Sequence, residues 1–213
     1  MANIANLREN YTKLTLDEAD ISADPIALFE KWFDEALADN INEPNAFTLA
    51  TTDNSGQPNA RVVLLKGIED GEFLFYTNYQ STKGQELISN SRAAMVFLWH
   101  EHERQIRIQG EVCLVNEERS TDYFHSRPRG SQIGAHVSHQ STVISSREII
   151  ENKLIEITAM FQNEEIIPKP QEWGGFAIKP VNIEFWQGRP SRLHDRIRYR
   201  LADGQWIIER LSP

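Results

Sequence analysis

Beyond residue 46 the apolar residues of this 213-residue chain stop recurring at helical spacing and begin to alternate, and this change of period restricts the fold to one dominated by antiparallel sheet. Segments 46 to 52, 59 to 68, 72 to 77, 93 to 100 and 104 to 115 are rich in β-branched, aromatic and aliphatic residues. Turn groups Asn54-Ser55-Gly56 and Glu69-Asp70-Gly71 separate the first three, so the set reads as an antiparallel meander. In the last segment Ile106, Ile108, Val112 and Leu114 alternate with Gln105, Arg107, Gln109 and Glu111, which gives one dry face and one polar face. The extended pattern returns from Gly175 to Gln187, Arg192 to Leu201 and Trp206 to Leu211. Helices interrupt it. Asp24-Pro25 is an N-cap with proline in the first turn, followed by Ile26, Phe29, Phe33, Ala36 and Leu37 at helical spacing over 25 to 39. Further helices are expected at 81 to 90, at 117 to 126, where Pro128 disfavours helix in the residue before it, and at 146 to 163. The sum predicts a mainly β fold, a closed or nearly closed β-barrel with peripheral helices, which removes most exposed strand edges.

Composition narrows the class of function. The apolar fraction is 40% and the charged fraction 25%, with no run of about 18 apolar residues to span a bilayer, so no membrane segment is expected. Acidic residues outnumber basic ones 31 to 22, for a net charge of −9, which argues against a general nucleic-acid surface and leaves room for a local basic pocket. Residues 1 to 213 read as one domain without repeats, and the first residues lack a secretory pattern, so a cytoplasmic protein is expected. The single cysteine, Cys113, excludes an intrachain disulfide and reads as inert filling in an apolar run. His100 and His102, like His136 and His139, lack a third ligand at a motif spacing, so no metal is expected.

Against this acidic background, five arginines fall in the twelve residues from Arg189 to Arg200, around His194. In an extended segment Arg192, His194 and Arg196 share a face, two guanidinium groups flanking an imidazole. The segment is either an anion site or a charged edge strand that resists aggregation. Arg61 and Lys66 bracket Val62, Val63, Leu64 and Leu65, and parity puts the two cations on opposite faces unless a bulge or the strand end intervenes. Tyr76-Thr77 ends the next strand, and Ser81-Thr82-Lys83 opens a helix that either binds phosphate or is simply capped by Ser81. Tyr123, Arg127 and Ser131 are four apart. Pro128 and Gly130 split them, with Arg127 at one helix end and Ser131 at the next helix start, either converging on a phosphate or forming a surface turn.

In this order the segments resemble the pyridoxamine 5′-phosphate oxidase family, from about Leu7 to Pro213. The most specific part is the end, Glu184-Phe185-Trp186-Gln187-Gly188 through Arg192-Leu193-His194-Asp195-Arg196 to Glu209-Arg210-Leu211-Ser212-Pro213. The resemblance implies an FMN-binding split barrel acting as a homodimer with each flavin at the subunit interface. It implies a flexible segment over 1 to 20 and dimerisation and active-site strands over 170 to 213. By position it puts FMN contacts on Arg61, Val62, Val63, Leu64, Leu65, Lys66, Tyr76, Thr77, Lys83, Gln105, Gln140, Ser141, Trp186 and Arg196. Thr82 stands where many members carry arginine, which implies weaker flavin binding. Substrate contacts fall on Lys66, Tyr123, Arg127, Ser131, Arg192 and His194, with Arg8 and Tyr11 in the N-terminal segment that covers the pocket. Arg192 and His194 are the implied catalytic pair.

The implied reaction oxidises pyridoxamine 5′-phosphate or pyridoxine 5′-phosphate to pyridoxal 5′-phosphate. A hydride equivalent leaves the 4′ carbon for the flavin, and dioxygen is then reduced to hydrogen peroxide. The rival readings are another split-barrel flavoenzyme of the flavin reductase type and a vitamer carrier without catalysis.

Overall fold

The structure, a computed structural model, describes residues 3–7 and 9–213. The alternating segments form β1 (Ala46–Thr52), β2 (Pro58–Leu64), β3 (Gly67–Glu69), β4 (Glu72–Asn78), β5 (Arg92–Trp99), β6 (Arg104–Leu114), β7 (Trp173–Gln187), β8 (Asp195–Ala202) and β9 (Gln205–Arg210). They join one nine-stranded sheet with the path β2-β1-β5-β6-β7-β4-β3, while β8 pairs with β7 and β9 with β8. Every pairing is antiparallel.

This order departs from the expected meander. The second edge of β1 is taken by β5, so the β3–β4 hairpin crosses to β7. Strand β7 is fifteen residues long, enough to hold β4 on its first half, with Asn78 opposite Trp173, and β8 on its second, with Gln187 opposite Asp195. A second correction concerns β6. Its register against β7 shifts between Gln109 and Gly110, where Val181 of β7 is the added residue, and the dry face fades beyond Val112. Ile106 and Ile108 are fully buried before the shift, whereas Leu114 is 57% exposed beyond it. Cys113, expected as interior filling, is exposed because it has the parity of Gln105, Arg107, Gln109 and Glu111 on the polar face. Partial burial, and then the neighbouring Glu72 carboxylate, push its thiol pKa up and keep it protonated.

The helices are α1 (Pro25–Ala38), α2 (Thr82–Ser89), α3 (Glu117–Ser126), α4 (Arg129–Val137) and α5 (Glu148–Met160). Asp24 caps α1 by accepting from the Ile26 N–H at 2.9 Å. The helix then lays Leu28, Phe29, Trp32 and Ala36 into the core enclosed by the sheet. Phe29 meets Phe73 and Phe97 edge-on at 5.0 and 5.1 Å between centroids, geometries worth about 1 kcal/mol each beyond the area they bury. Phe124, Ile133, Val137, Ile157, Phe161, Ile167 and Trp173 form a second cluster that fixes α3, α4 and α5 against the start of β7. No helix among the described residues is long and apolar enough to cross a membrane.

Candidate active site

A cavity of about 700 Å³ opens where β2, β4, α2, α3 and α4 converge. Strand β2 delivers Arg61 to it and stops at Leu64. Lys66 lies just past that end, its N–H donating to the Leu74 carbonyl at 2.8 Å, so both cations reach one cleft despite their opposite parity. Val62, Val63 and Leu64 line the wall between them. Leu65, expected beside them, turns its side chain into the core.

Arg61 is already partnered. Its Nη2 lies 3.0 Å from Glu86 Oε2 and its Nη1 donates to the Thr51 hydroxyl, while Glu86 also accepts from Asn59 Nδ2 at 3.1 Å. Burial alone would raise the Glu86 carboxyl, but the hydrogen bonds from Thr51, Asn59 and Arg61 outweigh it and hold the pKa below its ordinary value.

Ser81 caps α2 by accepting from the Gly84 N–H at 3.2 Å. The helix start packs so closely on the preceding loop that a Cβ at Gly84 would stand 2.5 Å from the Tyr79 carbonyl oxygen. This contact aims Lys83 into the cleft, where Nζ lies 3.0 Å from Gln140 Oε1 and 3.3 Å from Thr77 Oγ1. Burial, and secondarily the Arg61 charge, lower the Lys83 pKa, against an opposing pull from Glu86. Thr82 is exposed and stays off the cleft wall, and exposed Ser141, at φ 72, lines a neighbouring cavity.

Helix α3 ends at Ser126, Arg127 is extended before Pro128, and Ser131 falls in the first turn of α4, as the spacing predicts. Tyr123, Arg127 and Ser131 line the same cleft as Lys66. Tyr76 and Tyr123 stack at 4.0 Å with planes 20° apart. Burial pushes the pKa of both phenols up, so they remain donors at neutral pH. The Arg127 guanidinium lies 4.6 Å from the Trp173 ring centroid, and its buried Nη1 has no hydrogen-bond partner among the described residues.

The remaining candidates gather elsewhere. Gln105, Trp186 and Arg196 face one another across the β6-β7-β8 register, and Arg196 Nε donates to Glu184 Oε1 at 2.8 Å. The rings of Trp186 and His194 are 4.5 Å apart, and Tyr11 packs on both at 5.7 and 5.8 Å. Gly188 makes room for it, since a Cβ there would stand 2.7 Å from the Tyr11 ring. His194 Nδ1 accepts from the Arg189 N–H at 3.1 Å, which leaves the proton of the neutral ring on Nε2. Burial, followed by the Arg192 charge, lowers the His194 pKa. Arg8 lies outside the described residues.

Arg192 corrects the alternation argument. It belongs to a 3-10 turn, Pro190–Arg192, in which Ser191 and Arg192 have φ of 58 and 63, and β8 begins only at Asp195. A left-handed turn opened by proline redirects the side chains, so the period of a strand does not apply. Nor does one chain join the two groups. The cavity that holds Lys83 and Arg127 is not lined by Arg192, His194, Trp186, Gln105 or Arg196. Sequence reasoning also passed over Glu86 and Trp173. Glu86 carried a usable signal, one helical turn beyond Lys83, whereas nothing local to Trp173 points to the cleft.

The family described as pyridoxamine 5′-phosphate oxidase matches residues 33–161, and its C-terminal dimerisation region, described for pyridoxine 5′-phosphate oxidase, matches residues 173–213. The pyridoxine/pyridoxamine 5′-phosphate oxidase of Salinibacter ruber is 51% identical, covering 100% of both chains. That of Rhodopirellula baltica is 51% identical over 97% of this chain and 95% of its own. Among solved structures, PhzG from Burkholderia lata, in complex with tetrahydrophenazine-1-carboxylic acid, superposes with a TM-score of 0.89. It is 28% identical and covers 96% of this chain and 100% of that one. A pyridoxamine 5′-phosphate oxidase-related, FMN binding protein from Nostoc punctiforme shares the fold, with a TM-score of 0.70 at 16% identity over 87% of this chain and 97% of that one.

Proposed function

The chain belongs to the pyridoxamine 5′-phosphate oxidase family, and from that premise we propose that the cleft between β2, α2 and α3 holds FMN beside the phosphorylated substrate. The enzyme oxidises pyridoxamine 5′-phosphate and pyridoxine 5′-phosphate, and the product is pyridoxal 5′-phosphate. The observation that carries the site assignment is an excess of uncommitted positive charge. Lys83 is held by neutral oxygens only, and Arg127 keeps a buried N–H without a partner. A buried donor left unpaired costs free energy, so the geometry favours an anion there.

The residues fit the cofactor. Lys83 and Thr77, with Arg61 behind them, hold the FMN phosphate, while Val62 to Leu64 offer backbone and apolar wall. Lys66, Tyr123, Arg127 and Ser131 hold the substrate phosphate, the two phenols staying protonated as donors. The chemistry that a bound FMN would supply is two-electron transfer from the substrate 4′ carbon to dioxygen, which with two protons would become hydrogen peroxide. The chain's own task is to bind, orient and exclude water. Thr82 offers no cation at the helix start, which weakens flavin binding.

The site is completed by a second subunit. The dimerisation region spans 173–213, the stretch that carries Trp186, Arg192, His194 and Arg196. We place Arg192 of the partner subunit and His194 of the partner subunit over the reacting face, where a cation and a neutral imidazole stabilise developing charge. Within one chain Tyr11 packs on His194.

Anaerobic addition of pyridoxamine 5′-phosphate to the purified yellow protein tests this reading. The flavin absorbance near its visible maximum should fall within the mixing experiment. Retention of the colour, or bleaching only by a reduced nicotinamide, overturns it.

A further inference from the structure

We infer that Trp173 is a positioning residue for the substrate phosphate, acting through Arg127; this rests on the reading of the cleft given above. The two arginines that line the cavity are held in opposite ways. Arg61 spends its fork on Glu86 and Thr51. Arg127 makes no ion pair with a carboxylate among the described residues, and what flanks its guanidinium is aromatic, Trp173 at 4.6 Å and Phe124 at 5.6 Å. A ring beneath the flat face of a guanidinium attracts the cation yet leaves its in-plane N–H groups free, whereas a carboxylate would occupy them and cancel the charge. The unpartnered Nη1 of Arg127 is the visible consequence.

Trp173 is itself buried and anchored through its backbone. It is 7% exposed, its N–H donates to the Pro170 carbonyl at 3.1 Å, its carbonyl accepts from Lys169 Nζ at 2.9 Å, and it opens β7 opposite Asn78. Its ring lies within 10° of parallel to both Tyr76 and Tyr123, at 5.6 and 6.2 Å between centroids. One indole therefore supports the cation and lies parallel to the neighbouring phenols. Because Arg127 is extended, with its backbone outside any helix, side-chain stacking is what fixes its direction.

The test uses the FMN-loaded enzyme carrying Trp173→Leu, Trp173→Phe, Arg127→Ala and the two double variants. Two quantities are measured, the equilibrium dissociation constant for pyridoxal 5′-phosphate by calorimetry and the KM and kcat for pyridoxamine 5′-phosphate. Trp173→Leu should weaken product binding by about fivefold or more, with the loss falling on KM, and Trp173→Phe should lie between it and the parent. In the Arg127→Ala background both substitutions should cost less than twofold, the non-additivity expected of one residue acting through another. Equal losses with and without Arg127, or unchanged product affinity in Trp173→Leu, overturn the inference. Should Trp173→Leu not fold, the same cycle with Trp173→Phe decides. A parent enzyme that never bleaches with pyridoxamine 5′-phosphate defeats the functional reading instead, so the two failures are distinct.

Discussion

Lys83 Nζ and Thr77 Oγ1 both direct a hydrogen at a single oxygen, Oε1 of Gln140, each from 3.0 Å. Helix α2, strand β4 and the loop after α4 meet at this atom. The acceptor is neutral, so the ammonium is placed without being neutralised. Replacing Lys83 by Met should raise the FMN dissociation constant by about tenfold or more, read by quenching of flavin fluorescence on titration. An unchanged constant would remove Lys83 from the phosphate site.

The same lysine sets a pH dependence. Its pKa is lowered from 10.5 by burial and by Arg61, so the folded chain releases this proton before the unfolded chain does. Between the lowered pKa and 10.5 the unfolded chain binds more protons, and this group's contribution to stability therefore rises with pH in that window. Flavin affinity moves the other way, because the anion loses its cation. FMN binding should weaken as pH climbs through a point below 10.5, and the dependence should vanish in Lys83→Met. A Lys83→Met profile identical to that of the parent protein would contradict it.

Glu86 is buried with Arg61 as its ionic partner. Truncating it strands a mostly buried guanidinium, a change that costs about 3 kcal/mol in comparable buried pairs. Glu86→Ala should lower the urea midpoint accordingly, and Glu86→Gln, which keeps one acceptor oxygen for Arg61 and Thr51, should lower it less. Equal midpoints for Glu86→Ala and the parent would show that Arg61 finds another partner.

Arg192 does not line the cleft that holds Arg127, and the proposed active site takes the two arginines from different subunits. Arg192→Ala alone should reduce turnover by more than about tenfold, a loss above about 1.4 kcal/mol of transition-state stabilisation. Unfolding Arg192→Ala and Arg127→Ala chains together and refolding them should restore about a quarter of the parent rate, since half of the dimers are mixed and each has one site free of substitutions. No recovery above the separate variants would place both arginines in a site built by a single subunit.

Much of this protein is written locally. The alternation in 46 to 52 and 72 to 77 specifies strands, Asp24 and Ser81 specify helix starts, and Pro128 separates Arg127 from Ser131, because backbone period, caps and proline act within a few residues. The order of the motifs along the chain was enough to mark the family. Other features have no local cause. That β4 leaves β1 and β2 for β7 depends on which edges other strands have already filled, and the register shift beside Gly110 exists only between two paired strands. The turn at Ser191-Arg192, the pairing of Glu86 with Arg61 and the seating of Arg127 on Trp173 are likewise settled by packing between distant segments. Sequence fixed the pieces and their chemistry through short-range sterics and hydrogen bonding; the tertiary structure alone chose which charges were neutralised and which were left for a ligand, because that choice depends on burial and on partners brought from elsewhere in the chain.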